Sequence, residues 1–166
     1  MAVFVRYNKQ EFYVDNFANH PHNYEFTRTA WKETLKVLKE KGIKIGEEVK
    51  YAIVWSDGGL KTKENLDLFR EIAVELGLRM EVNFFAPYHG HNEVDGHFAA
   101  GKKRIRGNAD NGPVMDADGI LEAFGMLADT TVNRIEVEKN EKDIAPLENQ
   151  IRCWFQFELR SDGVEH

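Results

Sequence analysis

The residues best suited to chemistry are two aspartates that each follow an apolar run. Asp57 comes directly after one such run, and Asp95 follows a second run and a histidine-containing loop. A carboxylate just past a buried strand lies at the carboxyl edge of a parallel sheet, where open α/β proteins bind ligands. Hard divalent cations such as Mg²⁺ or Mn²⁺ prefer such oxygen ligands. The pattern therefore predicts a metal-dependent site, with bound metal activating a nucleophile and stabilising a leaving oxygen.

Both aspartates also have structural interpretations, which the local sequence leaves open. Asp57 stands in Ser-Asp-Gly-Gly at residues 56–59, and these residue types are typical of a turn. Asp95 falls in the first turn of a predicted helix, where the helix dipole favours a negative side chain in any protein. What favours the functional interpretation is the order of elements. The two acids follow strands joined by one crossover, so they would emerge at the same sheet edge.

Two histidines, His89 and His91, offer further metal ligands. A His-x-His pair places both imidazoles on one face of an extended segment, as zinc sites use them. With Asp95 and His97 they form H-G-H-N-E-V-D-G-H, which resembles the zinc signature of metallo-β-lactamase-type hydrolases. The aspartate comes later than in that signature. Two alternatives follow: a histidine that assists the aspartate site or meets a phosphate, and a zinc-dependent hydrolase built on His89 and His91.

A basic segment follows Asp95 closely. It contributes four cations, Lys102, Lys103, Arg104 and Arg106. Cations at the C-terminal end of a helix are common, because they complement the helix dipole. Beside a metal site they would contact a phosphate backbone without reading bases. We therefore expect these side chains to bind DNA.

Two segments carry a family resemblance. WSDG at residues 55–58 and FFAxxHGxxxxDG at residues 84–96, followed by Lys102-Lys103, are similar to motifs of eukaryotic transposase-derived proteins. These are RNase H-like DDE/D transposases related to the Kyakuja–Dileera–Zisupton group. The resemblance is clearest over residues 51–106. It implies an RNase H-like fold, Mg²⁺ or Mn²⁺ as cofactor, DNA as partner and a nuclear location. It also implies that Asp57 is the second catalytic acid and Asp95 the third.

The resemblance leaves the first acid without an obvious owner. That acid belongs on the first strand of the fold, which is absent if Ala2–Tyr7 and Glu11–Phe17 are the second and third strands. A missing N-terminal segment of a longer protein could complete the sheet, and a homo-oligomer is another alternative. Within the chain, Asp15 is the extra acid available on a strand. The glycine-rich turn expected after the third acid is replaced by His-Phe-Ala-Ala at residues 97–100.

Three functions are thus carried forward. The first is the catalytic core of a transposase or nuclease, in which Asp57 and Asp95 hold metal while water or a 3′-hydroxyl attacks a DNA phosphodiester. The second is a domesticated, inactive transposase domain that binds DNA or protein. The third is the zinc-dependent hydrolase.

The elements that must position these residues can be predicted from hydrophobic periodicity. A hairpin over Ala2–Tyr7 and Glu11–Phe17 comes first. A helix over Thr27–Lys41 follows, capped by Thr27 or Thr29. The nearly continuous apolar run Val49–Trp55 is typical of a central strand covered on both faces. The remaining predicted elements are helices at 62–76, 92–107 and 117–128, with caps at Asn92 and Asp116 for the last two, and strands at 80–86, 133–139 (an edge strand) and 151–159. This order indicates an α/β fold with a mixed sheet.

Composition limits the class of protein. With 166 residues and 42% hydrophobic residues, we expect one domain over residues 1–166 with a real core, and a frayed tail at 161–166. A single cysteine, Cys153, excludes a disulfide framework and makes a reducing, intracellular compartment the default. We find neither an apolar run near ~20 residues nor a signal-peptide pattern, and so expect no membrane partner. The net charge of −6 argues against indiscriminate coating of nucleic acid.

Overall fold

The computed structural model describes residues 1–21, 23–56, 60–85, 92–107, 116–137, 156–160 and 163–165. Its contacts divide the chain into two compact units. The first unit contains Met1–Val37 and His91–Glu138, and the second contains Leu38–Gly90 and Lys139–His166. Each unit has its own mixed β-sheet with helices, so the α/β class predicted from the sequence is confirmed. The division into two units was not predicted.

The first unit begins with the predicted hairpin. Strand β1 (Ala2–Tyr7) pairs antiparallel with β2 (Gln10–Phe17). The connecting residues Asn8 and Lys9 have φ values of 47° and 67°. Two consecutive residues in the left-handed region give a turn whose twist matches that of the flanking strands. Strand β5 (Thr130–Arg134) pairs parallel with β2 on its other side, which makes β2 the middle strand of the order β1-β2-β5.

Helix α1 (Tyr24–Glu40) starts three residues earlier than predicted. Its cap is Asn23, whose Oδ1 accepts a hydrogen bond from the backbone N–H of Phe26 at 3.1 Å. The predicted caps Thr27 and Thr29 instead lie inside the helix. Each donates its hydroxyl to the backbone carbonyl four residues earlier, which threonine can do in a helix interior. Sequence periodicity alone could not decide between these three polar residues.

The two faces of β2 contact different helices. On one face, the buried Asn16 side chain donates to Thr34 of α1 at 3.0 Å. On the other face, Asp15 contacts α3 (Glu93–Gly107), and the ring of Phe17 lies edge-on to Phe124 of α4 (Ala117–Gly125), with centroids 5.2 Å apart. Asp116 caps α4 as predicted. The first unit is therefore a three-layer arrangement with its sheet in the middle.

The second unit contains the predicted strand–helix–strand segment. Strand β3 (Tyr51–Ser56) pairs parallel with β4 (Arg79–Phe84), and α2 (Lys63–Leu76) connects them. Thr62 caps the start of α2, and Gly77, at φ 61°, ends it. Strands β6 (Gln156–Arg160) and β7 (Gly163–Glu165) complete the order β3-β4-β6-β7. A core of α2 and the sheet forms around apolar side chains that are under a tenth exposed, among them Leu66, Phe69, Met80, Val82 and Leu159.

Two predictions about the second unit were wrong. Where a frayed tail was predicted, Gly163–Glu165 pair with β6. More importantly, β3 pairs with β4 alone among the described strands and so lies at the edge of the described sheet, although its apolar run indicated a central strand covered on both faces. The side chains of Tyr51, Ile53 and Trp55 are 44%, 53% and 58% exposed. Hydrophobic content reports how well a strand suits burial, but the neighbours available to it decide whether it is buried.

Candidate functional site

Helix α3 carries most of the candidate residues that the structure describes, and its first turn explains one of them. Asn92 is the cap: its Oδ1 accepts from the backbone N–H groups of Val94 at 2.9 Å and Asp95 at 3.1 Å. In return, Asp95 Oδ2 accepts from the backbone N–H of Asn92 at 3.2 Å. This reciprocal pair is a capping box with an aspartate in the place of the usual glutamate. Asp95 is exposed and thus combines a capping role with access to solvent.

The C-terminal half of α3 presents cations to solvent. Lys102, Lys103, Arg104 and Arg106 are all exposed, and within the described ranges none of them forms an ion pair. Several other surface cations do have carboxylate partners, such as Lys36 with Glu33 at 2.9 Å and Arg134 with Asp118 at 2.8 Å. The four residues follow one another within five positions, so their charges add locally in a chain whose net charge is negative.

Helix geometry aligns Asp95 with two of these cations. Lys102 and Arg106 follow it by 7 and 11 residues, and at 3.6 residues per turn these spacings fall along one side of a helix. The rise per residue places Lys102 about 10 Å from Asp95 along the axis. The exposed carboxylate and the exposed cations are therefore arranged along the same side of α3.

The buried side of α3 is held by close contacts. The His97 ring stacks on that of Tyr13, with centroids 4.0 Å apart and planes 5° apart, and Phe124 contacts His97 edge-on. Gly101 allows the helix to approach α4, because a Cβ at this position would lie 2.3 Å from the Phe124 ring. These contacts fix how α3 lies on the sheet and hence where its exposed side points.

Asp15 and His97 form a buried pair between β2 and α3. His97 Nε2 and Asp15 Oδ2 are 2.7 Å apart, and both side chains are at most 3% exposed. Burial raises the pKa of the Asp15 carboxyl, and the contact with His97 opposes that shift. Asp15 Oδ1 has no hydrogen-bond partner among the residues that the structure describes. The pairing with His97 is sufficient to explain why this carboxylate is buried. A role for Asp15 as an extra catalytic acid stays a prediction.

The sequence alone did not predict the Asp15–His97 pair. The two residues are 82 positions apart, and His97 was assigned to the zinc-like pattern. One signal was available: the alternation of β2 places Tyr13, Asp15 and Phe17 on the same face. Nothing in the local pattern indicated that His97 would face them. Because His97 is buried against Asp15, it is not accessible for the zinc set suggested by the sequence.

The other predicted site residues lie outside the described ranges. Asp57, His89 and His91 all do, so the structure describes Asp95 but not the residues expected to join it. Among the described residues, no group of three or more His, Cys, Asp or Glu side chains is arranged to hold a metal ion. The described residues alone therefore do not make up a magnesium, manganese or zinc site.

Comparison with known proteins gave no match: neither family models, nor curated proteins, nor solved structures resemble the chain closely enough to identify it. The transposase resemblance therefore depends on residues 55–58 and 84–96 and on the lysines that follow. Among the described helices, none combines the length and the apolar character needed to cross a membrane.

Proposed function

We propose that this chain is a transposase-derived, RNase H-like domain that binds the phosphate backbone of DNA through α3. The observation that carries the proposal is the group of exposed cations at 102–106, which has no ion pair within the described part of the chain. Lysine and arginine that are free of carboxylates can neutralise phosphates and release counterions, and this release is the main source of sequence-independent affinity. The sequence motifs at 55–58 and 84–96 support the same partner.

Such contacts position DNA without reading its bases. We therefore expect similar affinities for duplexes of different sequence, with dissociation constants of about 10⁻⁴ to 10⁻⁶ M near physiological salt. Affinity should fall steeply as salt is added, because each phosphate contact releases bound counterions.

The test measures fluorescence anisotropy of a labelled DNA duplex over a range of salt concentrations. Replacing three cations of α3 should weaken binding and reduce the slope of log K against log salt by up to about 3, since each contact contributes about 0.9. The variant carries Lys102→Gln, Lys103→Gln and Arg106→Gln. An unchanged slope would remove α3 from the interface.

A matched control removes the three exposed lysines of α1, so that both variants lose three cations. It carries Lys32→Gln, Lys36→Gln and Lys39→Gln. Net charge changes equally in both variants, so a general charge effect would weaken binding in both. Loss confined to the α3 variant would assign the contact to α3.

A second candidate is metal-dependent cleavage or strand transfer on the bound DNA. The observation that favours it is the alignment of the exposed Asp95 with Lys102 and Arg106, because DNA on these cations would pass beside the carboxylate. In the resemblance, Asp57 and Asp95 would hold Mg²⁺ or Mn²⁺. Of these two acids, the described residues include only Asp95, and an inactive DNA-binding domain is the simpler function.

Titration with Mn²⁺ separates these alternatives. If the two aspartates hold metal, both Asp57→Asn and Asp95→Asn should weaken Mn²⁺ binding. Asparagine at position 95 keeps an acceptor for the Asn92 N–H, so the start of α3 should stay intact. Mn²⁺ binding that neither change affects would eliminate the metal site. Stoichiometric zinc that survives Asp57→Asn would favour the hydrolase with His89 and His91 instead.

A further inference from the structure

The edge strand β3 exposes an apolar stripe. Tyr51, Ile53 and Trp55 share one face of the strand, and each is about half exposed. They are three of the five large apolar side chains that are exposed among the described residues. Scattered exposed apolar residues are normal, but a contiguous group marks an interaction surface.

The backbone of β3 is also open along one side. Within the described ranges it pairs with β4 alone. Proteins usually protect such an edge with charges, proline or a bulge, yet the six residues YAIVWS include no charge and no proline. Their apolar run is typical of a central strand with both faces covered, whereas in the described part of the chain β3 has one strand neighbour and one exposed face.

We propose that β3 pairs antiparallel with β3 of a second copy of this chain, around a two-fold axis at Ile53. A two-fold axis perpendicular to the sheet keeps the same face of both copies on the same side. Ile53 then meets Ile53 of the partner subunit, and Tyr51 lies opposite Trp55 of the partner subunit. Aromatic and β-branched cross-strand pairs are favourable. The strand carries no charge, so no like charges oppose each other, and the two sheets join into one with β3 inside.

The size of the surface predicts a weak dimer. Edge-to-edge pairing adds backbone hydrogen bonds and lateral contacts between neighbouring side chains, while the outward surfaces of Tyr51, Ile53 and Trp55 stay in water. Stable interfaces bury about 1,200–2,000 Å², so this contact belongs to the weak class. We expect a dissociation constant on the order of 0.1 mM. The two-fold axis closes the assembly, so it should stop at the dimer.

Sedimentation velocity of the whole chain, from about 10 µM to about 1 mM, tests this. The mass should rise from 19.1 kDa toward twice that value. Ile53→Lys should remain monomeric throughout, because like charges would meet at the axis. The monomer should keep its fold, since position 53 pairs with Glu81 on β4. Val74→Lys is the matched control: Val74 is 50% exposed on α2, and its replacement should leave association unchanged.

A mixture of two charged variants gives a positive test. Ile53→Lys and Ile53→Glu should each be monomeric, but an equimolar mixture should associate, because opposite charges would then meet at the axis. A wild type that is monomeric at every concentration would overturn the proposal, even if it bound an added peptide or oligonucleotide. Association that persists in Ile53→Lys, or growth beyond a dimer, would overturn it as well.

Discussion

The buried polar pairs of the first unit contrast with the exposed apolar stripe of the second. The first unit buries Asp15, Asn16, Thr34 and His97 and pairs them with one another, while the second unit exposes Tyr51, Ile53 and Trp55 along an edge strand. Burying a polar group is unfavourable unless it is hydrogen-bonded, so each buried pair specifies which elements meet. The exposed apolar stripe is only partly engaged within its own unit, where Trp55 stacks on Phe85 and Tyr51 donates a hydrogen bond to Glu81. The comparison teaches that the first unit is specified by internal partners, whereas the edge of the second is suited to an external one.

The largest effect should come from the apolar core of the second unit. Phe69 on α2 is 0% exposed, so Phe69→Ala should reduce the free energy of unfolding by about 4 kcal/mol through lost burial and a cavity. Urea denaturation measures this, and amide exchange should accelerate within the second unit. Val74→Ala, on the exposed side of the same helix, should cost under about 0.5 kcal/mol. Equal losses would show that the apolar core is not what stabilises this unit.

The first unit should be most sensitive at its buried pair. His97→Ala leaves the buried Asp15 without its hydrogen-bond partner and opens a cavity, which together should cost about 3 kcal/mol. The same denaturation experiment with His20→Ala provides the control, because His20 lies in a loop and its hydrogen bond within the described ranges is to the neighbouring Pro21 carbonyl. If both histidines could be replaced at the same small cost, the pair would not specify how α3 packs.

A smaller effect is expected at the close approach of α3 to α4. Gly101→Ala places a methyl group against the Phe124 ring and should destabilise the protein by about 1–3 kcal/mol. Gly96 lies in the same helix with open space around it, and Gly96→Ala should stabilise by up to about 1 kcal/mol. The opposite signs can be measured as shifts in thermal midpoint. A Gly101→Ala protein more stable than wild type would contradict the packing described for α3.

The smallest effect concerns pH. Burial raises the pKa of Asp15 above its usual 3.8. Folding therefore favours the protonated carboxyl. Its contribution to the free energy of unfolding is fully present below the usual pKa and is lost as pH rises through the raised pKa. Asp15→Asn should keep a polar contact to His97 without a titrating group. Unfolding free energies at several pH values should show wild type losing stability relative to this variant above pH 3.8. If the difference in unfolding free energy between the two proteins were the same at every pH, the raised pKa of Asp15 would be refuted.

Several elements could be predicted from residue order because local physics determines them. The turn at Asn8-Lys9, the caps Asn92 and Asp116, and the helix ending at Gly77 depend on neighbours within four residues. The start of α1 could not be predicted, because Asn23 and two threonines compete as caps and their energies differ little. The cations of α3 were likewise found from sequence, since a group of charges is visible without knowing what lies around it.

The sequence by itself determined the α/β class, most helix and strand positions and the candidate acids and cations, because periodicity and capping act over a few residues. Only the tertiary structure decided that Asp15 is buried against His97, that Asp95 closes a capping box beside exposed cations, and that β3 lies at the edge of the described sheet. Those outcomes depend on contacts between residues far apart in the chain. The local sequence pattern does not specify which of these residues meet. The same aspartate type is thus a buried partner at one position and an accessible carboxylate at another, because packing controls its access to water.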